Sequence, residues 1–358
     1  MKIFYSVVVV CLLCFNLFAQ DKKLEEDGLT VLILGGTTFI GPHLTNELLG
    51  HGHKVTHFTR GNEHGFSFPG VEELHGNRYG DLKALKGRKW DAVIDTCGYL
   101  PRVVEASSKI LAQATNHYTF ISTISVYDDF NQPSIDEDSS LAKLKCNIRS
   151  EDITDDTYGP FKAKCEKVIK TYFPDNSLII RPGLIVGPYD PTDRFTYWVR
   201  RLAEGGKVLI PNTPNQKLQL IDVRDLAKWI VKMVEERSVG TYNATGPKEE
   251  LSLETFIKEC SHFARKKADL VWVDERFLID RHINDWSKLP FWLPSNSNKL
   301  GLFNIDCRKA QDKGLSYRPL SETISDTLNW DDQRIDRTME VGITHEEEGN
   351  LLNQISKE

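Results

Sequence analysis

The chain has 358 residues, of which 40% are hydrophobic, so it is long enough to bury a large core in one big domain or in two fused lobes. Its 45 basic and 51 acidic side chains give a formal net charge of −6. This balance argues against a nucleic-acid-binding surface and against a polybasic membrane patch, and it favours a soluble enzyme.

The N-terminus is an exception to this composition. A lysine precedes an apolar run that ends at the small Ala19, and polar residues follow. The run is shorter than the roughly 20 residues of a membrane-spanning helix, so residues 1–20 are predicted to be a secretory signal peptide, cleaved near Ala19 or Gln20. An uncleaved membrane anchor is the alternative. A lipid-modified Cys14 is disfavoured, because Leu13 stands where a small residue would be expected. Each interpretation places the body outside the cytosol, in the periplasm or extracellular space, and no stable membrane span is expected in the mature chain.

Cleavage would leave five cysteines at irregular spacings: Cys97, Cys146, Cys165, Cys260 and Cys307. The spacings contain no metal-binding pattern, so no metal site is predicted. An odd number leaves at least one thiol free in an oxidising compartment. Most are expected to be small buried hydrophobes, and no disulfide is assigned.

From Thr30 onward, short apolar runs alternate with helical patterns, which is typical of βαβ units. The near-continuous apolar character of the runs predicts a parallel sheet with both faces buried. The expected fold is α/β, a Rossmann-type doubly wound parallel sheet with a smaller C-terminal substrate lobe. Strands are predicted at 30–34, 54–59, 92–95, 117–122 and 178–181, and a helix at about 41–50.

The composition changes along the chain and suggests a division into domains. Residues 28–187 are assigned to the sheet domain, with a polar surface excursion between 127 and 157. Residues 188–332 mostly form the smaller lobe, and a segment at about 218–245 returns to the first domain. Residues 333–358 are charged and weakly apolar, and they are predicted to be a solvated tail.

A glycine turn joins the first predicted strand to the first predicted helix. Helix N-termini of this kind hold phosphate groups, Gly35 permits unusual backbone angles, and Gly41 permits close packing of helix on strand. An ordinary βα turn is the alternative. Thr38 replaces the usual middle glycine, so a side chain stands where a pyrophosphate would approach. A nicotinamide dinucleotide is predicted to bind at Gly35, Thr37, Thr38, Phe39, Ile40 and Gly41.

The end of the second strand bears on the choice of cofactor. No carboxylate stands there to bind an adenosine ribose hydroxyl, and Arg60 occupies the place instead. A guanidinium can pair with a 2′-phosphate or stack on adenine, although it can equally face solvent. The cofactor is therefore predicted to be NAD or NADP, with a preference for NADP.

Tyr158 and Lys162 stand one helical turn apart and share a helix face. The ordinary pKa of tyrosine is about 10, so acid–base work near neutrality needs a nearby cation to stabilise the phenolate. Lys162 supplies such a cation and can also hold a ribose hydroxyl. A solvated helix face is the alternative.

Several segments together resemble the extended short-chain dehydrogenases/reductases, a family of nucleotide-sugar epimerases, dehydratases and reductases, from about Thr30 to Asp332. They are Gly35 to Gly41, Asp81-Leu82, the strand end at 122–127 (Ser-Thr-Ile-Ser-Val-Tyr), Tyr158 to Lys162, Arg181-Pro182-Gly183 with Gly187-Pro188, and 222–227 (Asp-Val-Arg-Asp-Leu-Ala).

The resemblance implies a catalytic set of Thr123, Tyr158 and Lys162. Thr123 would orient a substrate hydroxyl, Tyr158 would remove its proton while the adjoining carbon gives hydride to the nicotinamide, and Lys162 would tune Tyr158. Ser122 and Ser125 are neighbours that can be confused with Thr123. The resemblance also adds Asp81, Leu82, Lys162 and Pro182 to the cofactor site and implies a homodimer.

With Thr38 and Arg60 at these positions, the chain departs from the usual pattern and more closely resembles the atypical branch of the family. That branch includes isoflavone-reductase-like proteins and chloroplast RNA-binding relatives. The intact catalytic set argues against a purely binding role, and the acidic charge argues against RNA. On the substrate side we consider Tyr99 together with Asp193, Arg194, Tyr197 and Trp198, for which packing inside the lobe is an equal alternative.

Export would affect the choice of reaction, because a compartment outside the cytosol lacks a ready supply of reduced dinucleotide. A redox-neutral cycle needs only a cofactor that stays bound. The expected function is therefore that of an epimerase/dehydratase-like enzyme acting on a sugar or sugar derivative. A net NADP-dependent carbonyl reductase and a non-catalytic dinucleotide- or glycan-binding protein are the alternatives.

Overall fold

The computed structural model describes residues 28–61, 66–132, 134–146, 150–283 and 286–355. The predicted signal peptide lies outside these residues. Within the described ranges, none of the helices has both the length and the apolar character needed to cross a membrane. The cysteines 97, 146, 165, 260 and 307 are all free thiols.

The described residues contain thirteen strands and ten α-helices. The strands are β1 (Thr30–Leu34), β2 (Lys54–Thr59), β3 (Glu72–His75), β4 (Ala92–Asp95), β5 (Tyr118–Ile121), β6 (Ser177–Pro182), β7 (Leu184–Val186), β8 (Gly206–Pro211), β9 (Lys217–Leu218), β10 (Leu220–Asp222), β11 (Gly240–Ala244), β12 (Leu251–Ser252) and β13 (Ala268–Val273). The helices are α1 (Ile40–Gly50), α2 (Pro101–Leu111), α3 (Asp155–Tyr172), α4 (Arg194–Glu204), α5 (Val223–Glu235), α6 (Leu253–Ser261), α7 (Glu275–Asp280), α8 (Arg308–Asp312), α9 (Leu320–Asp332) and α10 (His345–Ile355).

Seven parallel strands form one sheet in the order β11-β6-β5-β4-β1-β2-β3. The strand order reverses between β1 and β4, because the chain first builds outward through β2 and β3 and then returns to the other side of β1. Open α/β sheets bind ligands in the crevice at the carboxyl ends of such strands. The predicted Rossmann-type α/β fold is confirmed.

Helices cover both faces of this sheet, which explains the near-continuous apolar strands. Leu32 and Leu34 of β1 pack with α2 and α3 on one face, while Val31 and Ile33 pack with α1 and α5 on the other. These four side chains are fully buried. Burial on both faces removes the alternation that a half-exposed strand would show.

The smaller lobe has its own apolar core. The parallel pair β8 and β13 and the antiparallel pair β9 and β12 pack with α4, α6, α9 and α10. Aromatic side chains fill the centre of this lobe, including Phe195, Trp198, Phe256, Phe291 and Trp292. Between β9 and β12 the chain crosses back to the large sheet through β10 and α5, and β11 adds to the edge of that sheet beside β6.

The C-terminal segment differs from the predicted solvated tail. Residues 345–355 form α10, whose Leu351 lies in the core of the lobe. Glu348 is buried; it accepts hydrogen bonds from the Arg201 guanidinium (2.7 Å) and from the backbone N–H of Leu209 (2.9 Å). The prediction was wrong because a row of glutamates resembles a solvated face unless a distant arginine is known to meet one of them.

Candidate active site

The glycine turn lies at the carboxyl end of β1 and is forced by close packing. Gly35 has φ +102°, and a Cβ atom there would lie 2.4 Å from the Thr96 hydroxyl oxygen. A Cβ atom on Gly41 would lie 2.4 Å from the carbonyl carbon of Gly36. Only glycine permits this backbone and this approach of α1 to the turn.

The turn presents a row of unused backbone donors. Among the described residues, no acceptor meets the N–H groups of residues 36–40, and the exposed Thr38 side chain lies among them. Consecutive free N–H groups at a helix N-terminus form a cradle for an anion such as a pyrophosphate. The donor set therefore fits the diphosphate of a dinucleotide.

An aromatic pair lies beside this turn. The backbone N–H of Phe66 donates to the Thr37 carbonyl (3.0 Å), and the Phe66 ring meets the Tyr189 ring edge-on at 4.7 Å between centroids. Tyr189 also contacts His43 of α1 and Trp330 of α9. Side chains from both lobes thus approach the phosphate cradle.

The other residues predicted to bind the cofactor differ in their exposure to solvent. Arg60 is exposed at the end of β2, and Asp81 is exposed in the turn after β3. Leu82 packs into the core below the sheet, and Pro182 is buried at the end of β6. Arg60 and Asp81 therefore remain accessible to a ligand, whereas the Leu82 side chain does not.

Sequence reasoning missed a buried network below the crevice. The Arg78 guanidinium donates two hydrogen bonds to Asp95, at 2.6 and 2.8 Å, and one to Ser107 at 2.8 Å. Tyr118 donates to the same carboxylate (2.9 Å). Because Asp95 ends β4 next to β1, the network fixes the floor of the crevice. The only signal was a charged residue between Gly76 and the Asp81-Leu82 motif.

Lys162 is buried and holds two strand ends together. Its ammonium donates to the carbonyls of Ile121 (2.6 Å) and Gly98 (2.9 Å) and lies 4.2 Å from the centre of the Phe120 ring. Burial lowers the pKa of Lys162 to about 8. An ammonium has three N–H donors, so one remains for a ligand.

Tyr158 stands on the first turn of α3 beside the carboxyl end of β5. Burial raises its pKa, while a hydrogen bond with Thr123 and the positive charge of Arg194 act in the opposite direction. Arg194 is therefore a cation that favours the phenolate here. Gly159 makes this placement possible, because a Cβ atom there would lie 1.9 Å from the Ser125 carbonyl oxygen.

The structure separates the three hydroxyls at the end of β5. The Ser122 hydroxyl donates to the buried Glu166 carboxylate (2.6 Å). Glu166 in turn pairs with Arg181 at 2.7 Å. Thr123 hydrogen-bonds with Ser125 (3.2 Å between hydroxyl oxygens) and interacts with Tyr158. Ser122 is thus structural, and Thr123 is the hydroxyl associated with Tyr158.

The residues predicted on the substrate side divide into two groups. Tyr99 is 45% exposed and its ring lies 6.4 Å from that of Tyr158, and Arg194 interacts with Tyr158 from the other lobe. Tyr197 and Trp198 are buried in the core of the smaller lobe, where Trp198 donates to the Pro290 carbonyl at 2.6 Å. The substrate role predicted for these two is wrong, because the helix that begins at Arg194 turns its next residues inward.

One group of side chains away from the crevice has metal-ligand composition: His51, His53 and Glu235. The Nδ1 atom of His53 accepts the backbone N–H of Leu29 (3.0 Å), so in the neutral ring Nε2 carries the proton and donates it to Glu235 (2.9 Å). A ring in this tautomer offers no lone pair to a metal. The group instead ties the end of α1 to the end of α5.

Residues 89–245 match the model of the NAD dependent epimerase/dehydratase family. The chain is 29% identical over 252 residues to the chloroplast stem-loop binding protein of 41 kDa b of Arabidopsis thaliana, and the match covers 64% of this chain and 62% of that protein. The predicted resemblance to the epimerase/dehydratase family is confirmed.

Solved structures of low identity share the fold. UDP-N-acetylglucosamine 4-epimerase from Bacillus cereus is 16% identical with a TM-score of 0.61, over 86% of this chain and 98% of that one. UDP-glucuronic acid 4-epimerase from Bacillus cereus, in complex with NAD, is 16% identical with a TM-score of 0.60, over 86% and 100%. dTDP-glucose 4,6-dehydratase from Bacillus anthracis, in complex with NAD, is 15% identical with a TM-score of 0.63, over 86% and 97%.

Proposed function

We propose that the chain is an NAD(P)-dependent enzyme of the epimerase/dehydratase type, which acts on a sugar or sugar derivative by hydride transfer with Tyr158 as the acid/base. The observation that carries the proposal is the meeting of Tyr158, Thr123 and the buried Lys162 ammonium at the carboxyl edge that also holds the free N–H groups of residues 36–40. Acid–base group, orienting hydroxyl and phosphate cradle are the parts that this chemistry needs.

The residues would act in sequence on one substrate hydroxyl. Thr123 orients the hydroxyl, and Tyr158 accepts its proton as the carbon–hydrogen bond breaks. Arg194 stabilises the phenolate that precedes this step. Lys162 uses its third N–H to hold a ribose hydroxyl. When bound, the nicotinamide supplies the hydride acceptor and later the hydride donor.

The cycle is proposed to be redox-neutral. If residues 1–20 direct export, the enzyme works where reduced dinucleotide is not replenished, so hydride must return to the substrate from a cofactor that stays bound. The aromatic pair Phe66 and Tyr189 supports retention, because it lies beside the phosphate cradle. A free or glycan-derived sugar suits this location better than a nucleotide sugar.

The preference for NADP rests on Arg60. This residue is exposed at the end of β2, where an NAD-specific fold would have a carboxylate. Two of the similar solved structures, UDP-glucuronic acid 4-epimerase and dTDP-glucose 4,6-dehydratase, are complexes with NAD, so both cofactors must be compared. Calorimetric titration of the cofactor-free protein with NAD and NADP is the test. If Arg60 binds the 2′-phosphate, Arg60→Ala weakens NADP binding about tenfold and leaves NAD binding unchanged. Equal losses would overturn the preference.

The main experiment begins with the protein as purified. Absorbance and mass spectrometry identify any dinucleotide that co-purifies, and proton NMR follows the interconversion of a panel of free and nucleotide-linked sugars. Tyr158→Phe is expected to abolish turnover, whereas Tyr79→Phe, at a side chain 59% exposed in the turn after β3, serves as the matched control.

Three outcomes would overturn all or part of the proposal. Stoichiometric consumption of added NADPH with a carbonyl compound would identify a net reductase and exclude the redox-neutral cycle. Activity that survives Tyr158→Phe unchanged would exclude Tyr158 as the acid/base. Absence of turnover on the whole panel, whether or not a dinucleotide is bound, would favour the non-catalytic dinucleotide- or glycan-binding alternative.

A further inference from the structure

We propose that Arg194 binds an oxyanion, either a carboxylate or a phosphate, which the substrate carries close to the hydroxyl that Tyr158 deprotonates. The inference rests on the proposed function and narrows its substrate class to acidic sugars. Arg194 provides the specificity, and three features of its surroundings support this role.

The first feature is the fixed position of Arg194. It opens α4 directly after Asp193, whose backbone is left-handed with φ 54°. The Asp193 carboxylate is buried and is held by the Arg334 guanidinium at 2.6 Å. This ion pair fixes the start of the helix that carries Arg194, whose charge acts on Tyr158. A positioned cation costs less ordering on binding than a flexible one.

The second feature is the lack of an ion-pair partner. The Nε–H of Arg194 donates to the Thr192 hydroxyl (3.1 Å), and the guanidinium carbon lies 5.9 Å from the centre of the Trp286 ring. Among the residues that the structure describes, no other hydrogen bond and no carboxylate reaches the guanidinium. Four of its five N–H donors are therefore left for a ligand or water.

This lack sets Arg194 apart from seven other partly or fully buried arginines. Each of them lies 2.5 to 2.9 Å from a carboxylate: Arg78, Arg181, Arg200, Arg201, Arg224, Arg318 and Arg334. Taking a guanidinium out of water is unfavourable without such a partner. A substrate oxyanion would supply the partner that the protein itself supplies elsewhere.

The third feature is the arrangement of charge around Arg194. Asp190 is 1% exposed and attracts the guanidinium from beyond ion-pairing distance, while its Oδ1 atom accepts from the Thr192 backbone and hydroxyl, both at 2.8 Å. The Oδ2 atom of Asp190 has no hydrogen-bond partner among the described residues. Asp190 thus moderates the charge of Arg194 without occupying its N–H donors.

The test uses three sugars that differ only at carbon 6: D-glucose, D-glucuronate and D-glucose 6-phosphate. Their dissociation constants are measured by calorimetry on the protein with its dinucleotide bound. We expect at least one of the two acidic sugars to bind about tenfold or more tightly than glucose, and Arg194→Gln to abolish this preference. Arg194→Lys should restore part of it. Arg276→Gln, at a highly exposed arginine of α7, should change nothing.

The outcomes decide both the proposal and its details. Preference for glucuronate alone identifies a carboxylate ligand, and preference for the phosphate alone identifies a phosphoryl ligand. No preference in the wild-type protein, or a preference that survives Arg194→Gln, overturns the proposal. Because binding is measured without turnover, an inactive protein that still discriminates acidic sugars would refute the hydride chemistry and leave the role of Arg194 standing.

Discussion

Replacing Lys162 by methionine isolates the free-energy cost of burying the Lys162 charge from the other contributions to stability. Burial lowers the pKa of Lys162 from 10.5 to about 8. At 1.36 kcal/mol per unit, the folded state holds the charged form about 3 kcal/mol less favourably than the unfolded chain does. Lys162→Met removes this penalty, but it also removes the hydrogen bonds to Gly98 and Ile121.

The free energy of unfolding should change with pH in a direction that the lowered pKa of Lys162 determines. Between about pH 8 and 10.5 the unfolded chain keeps the Lys162 proton and the folded protein releases it, so the stability contributed by this group rises with pH. The free energy of unfolding of the wild type relative to Lys162→Met should therefore increase by about 1.4 kcal/mol per pH unit across this window, or about 3 kcal/mol in total.

Denaturant unfolding at pH 7, 8, 9 and 10 measures this difference. Lys164→Met is the control, because Lys164 is exposed on the same helix and should show a constant difference. A wild-type minus Lys162→Met difference that stays constant from pH 7 to 10 would refute the assignment of a buried, weakly basic ammonium. The same variant should lose turnover about a hundredfold if Lys162 positions the cofactor.

Three further predictions concern packing and charge. Gly159→Ala should destabilise the protein by roughly 1–3 kcal/mol in a thermal melt, since the alanine Cβ would lie 1.9 Å from a backbone oxygen. Gly349→Ala is the control. A Cβ atom there would lie in open space on α10, so this variant should be neutral or stabilising. Arg181→Met should cost roughly 3–5 kcal/mol in denaturant unfolding by leaving the Glu166 carboxylate buried without a charged partner; adding Glu166→Gln should recover part of the loss, and a fully additive double variant would count against the pair. A hydrogen bond to a carboxylate raises the pKa of His51, so its stabilisation is present below about pH 6.5 and is lost as pH rises through the raised pKa. His51→Gln should cost up to about 1 kcal/mol at pH 5.5 and nothing at pH 8.5, and an equal effect at both would contradict this.

Local patterns made much of the sheet predictable. The predicted strands at 30–34, 54–59 and 92–95 have the bounds found in the structure, because a strand buried on both faces leaves an apolar run in the sequence. The edge strand β3 (Glu72–His75) escaped prediction, since three of its four side chains are exposed. An edge strand forms because its neighbour offers unpaired backbone groups, and no apolar run records this.

In the candidate site, spacing along the chain predicted local contacts and missed distant ones. Tyr158 and Lys162 follow from a four-residue helical interval. The resemblance singled out Thr123, whereas the contact that occupies the Ser122 hydroxyl is with Glu166, which is 44 residues away along the chain. The isolation of Arg194 depends on the absence of nearby carboxylates, and a sequence does not show which acidic residues fold beside a given arginine.

The burial of Glu348 has a consequence for the order in which the protein is made. Its two hydrogen-bond partners, Arg201 and Leu209, emerge from the ribosome well over a hundred residues earlier. The large sheet can close once β11 has been synthesised, because its last strand ends at Ala244. The smaller lobe must wait with the buried Arg201 lacking its carboxylate partner until Glu348 has been synthesised. Folding during synthesis should therefore proceed in two stages, with the nascent lobe open to proteases and chaperones until α10 docks.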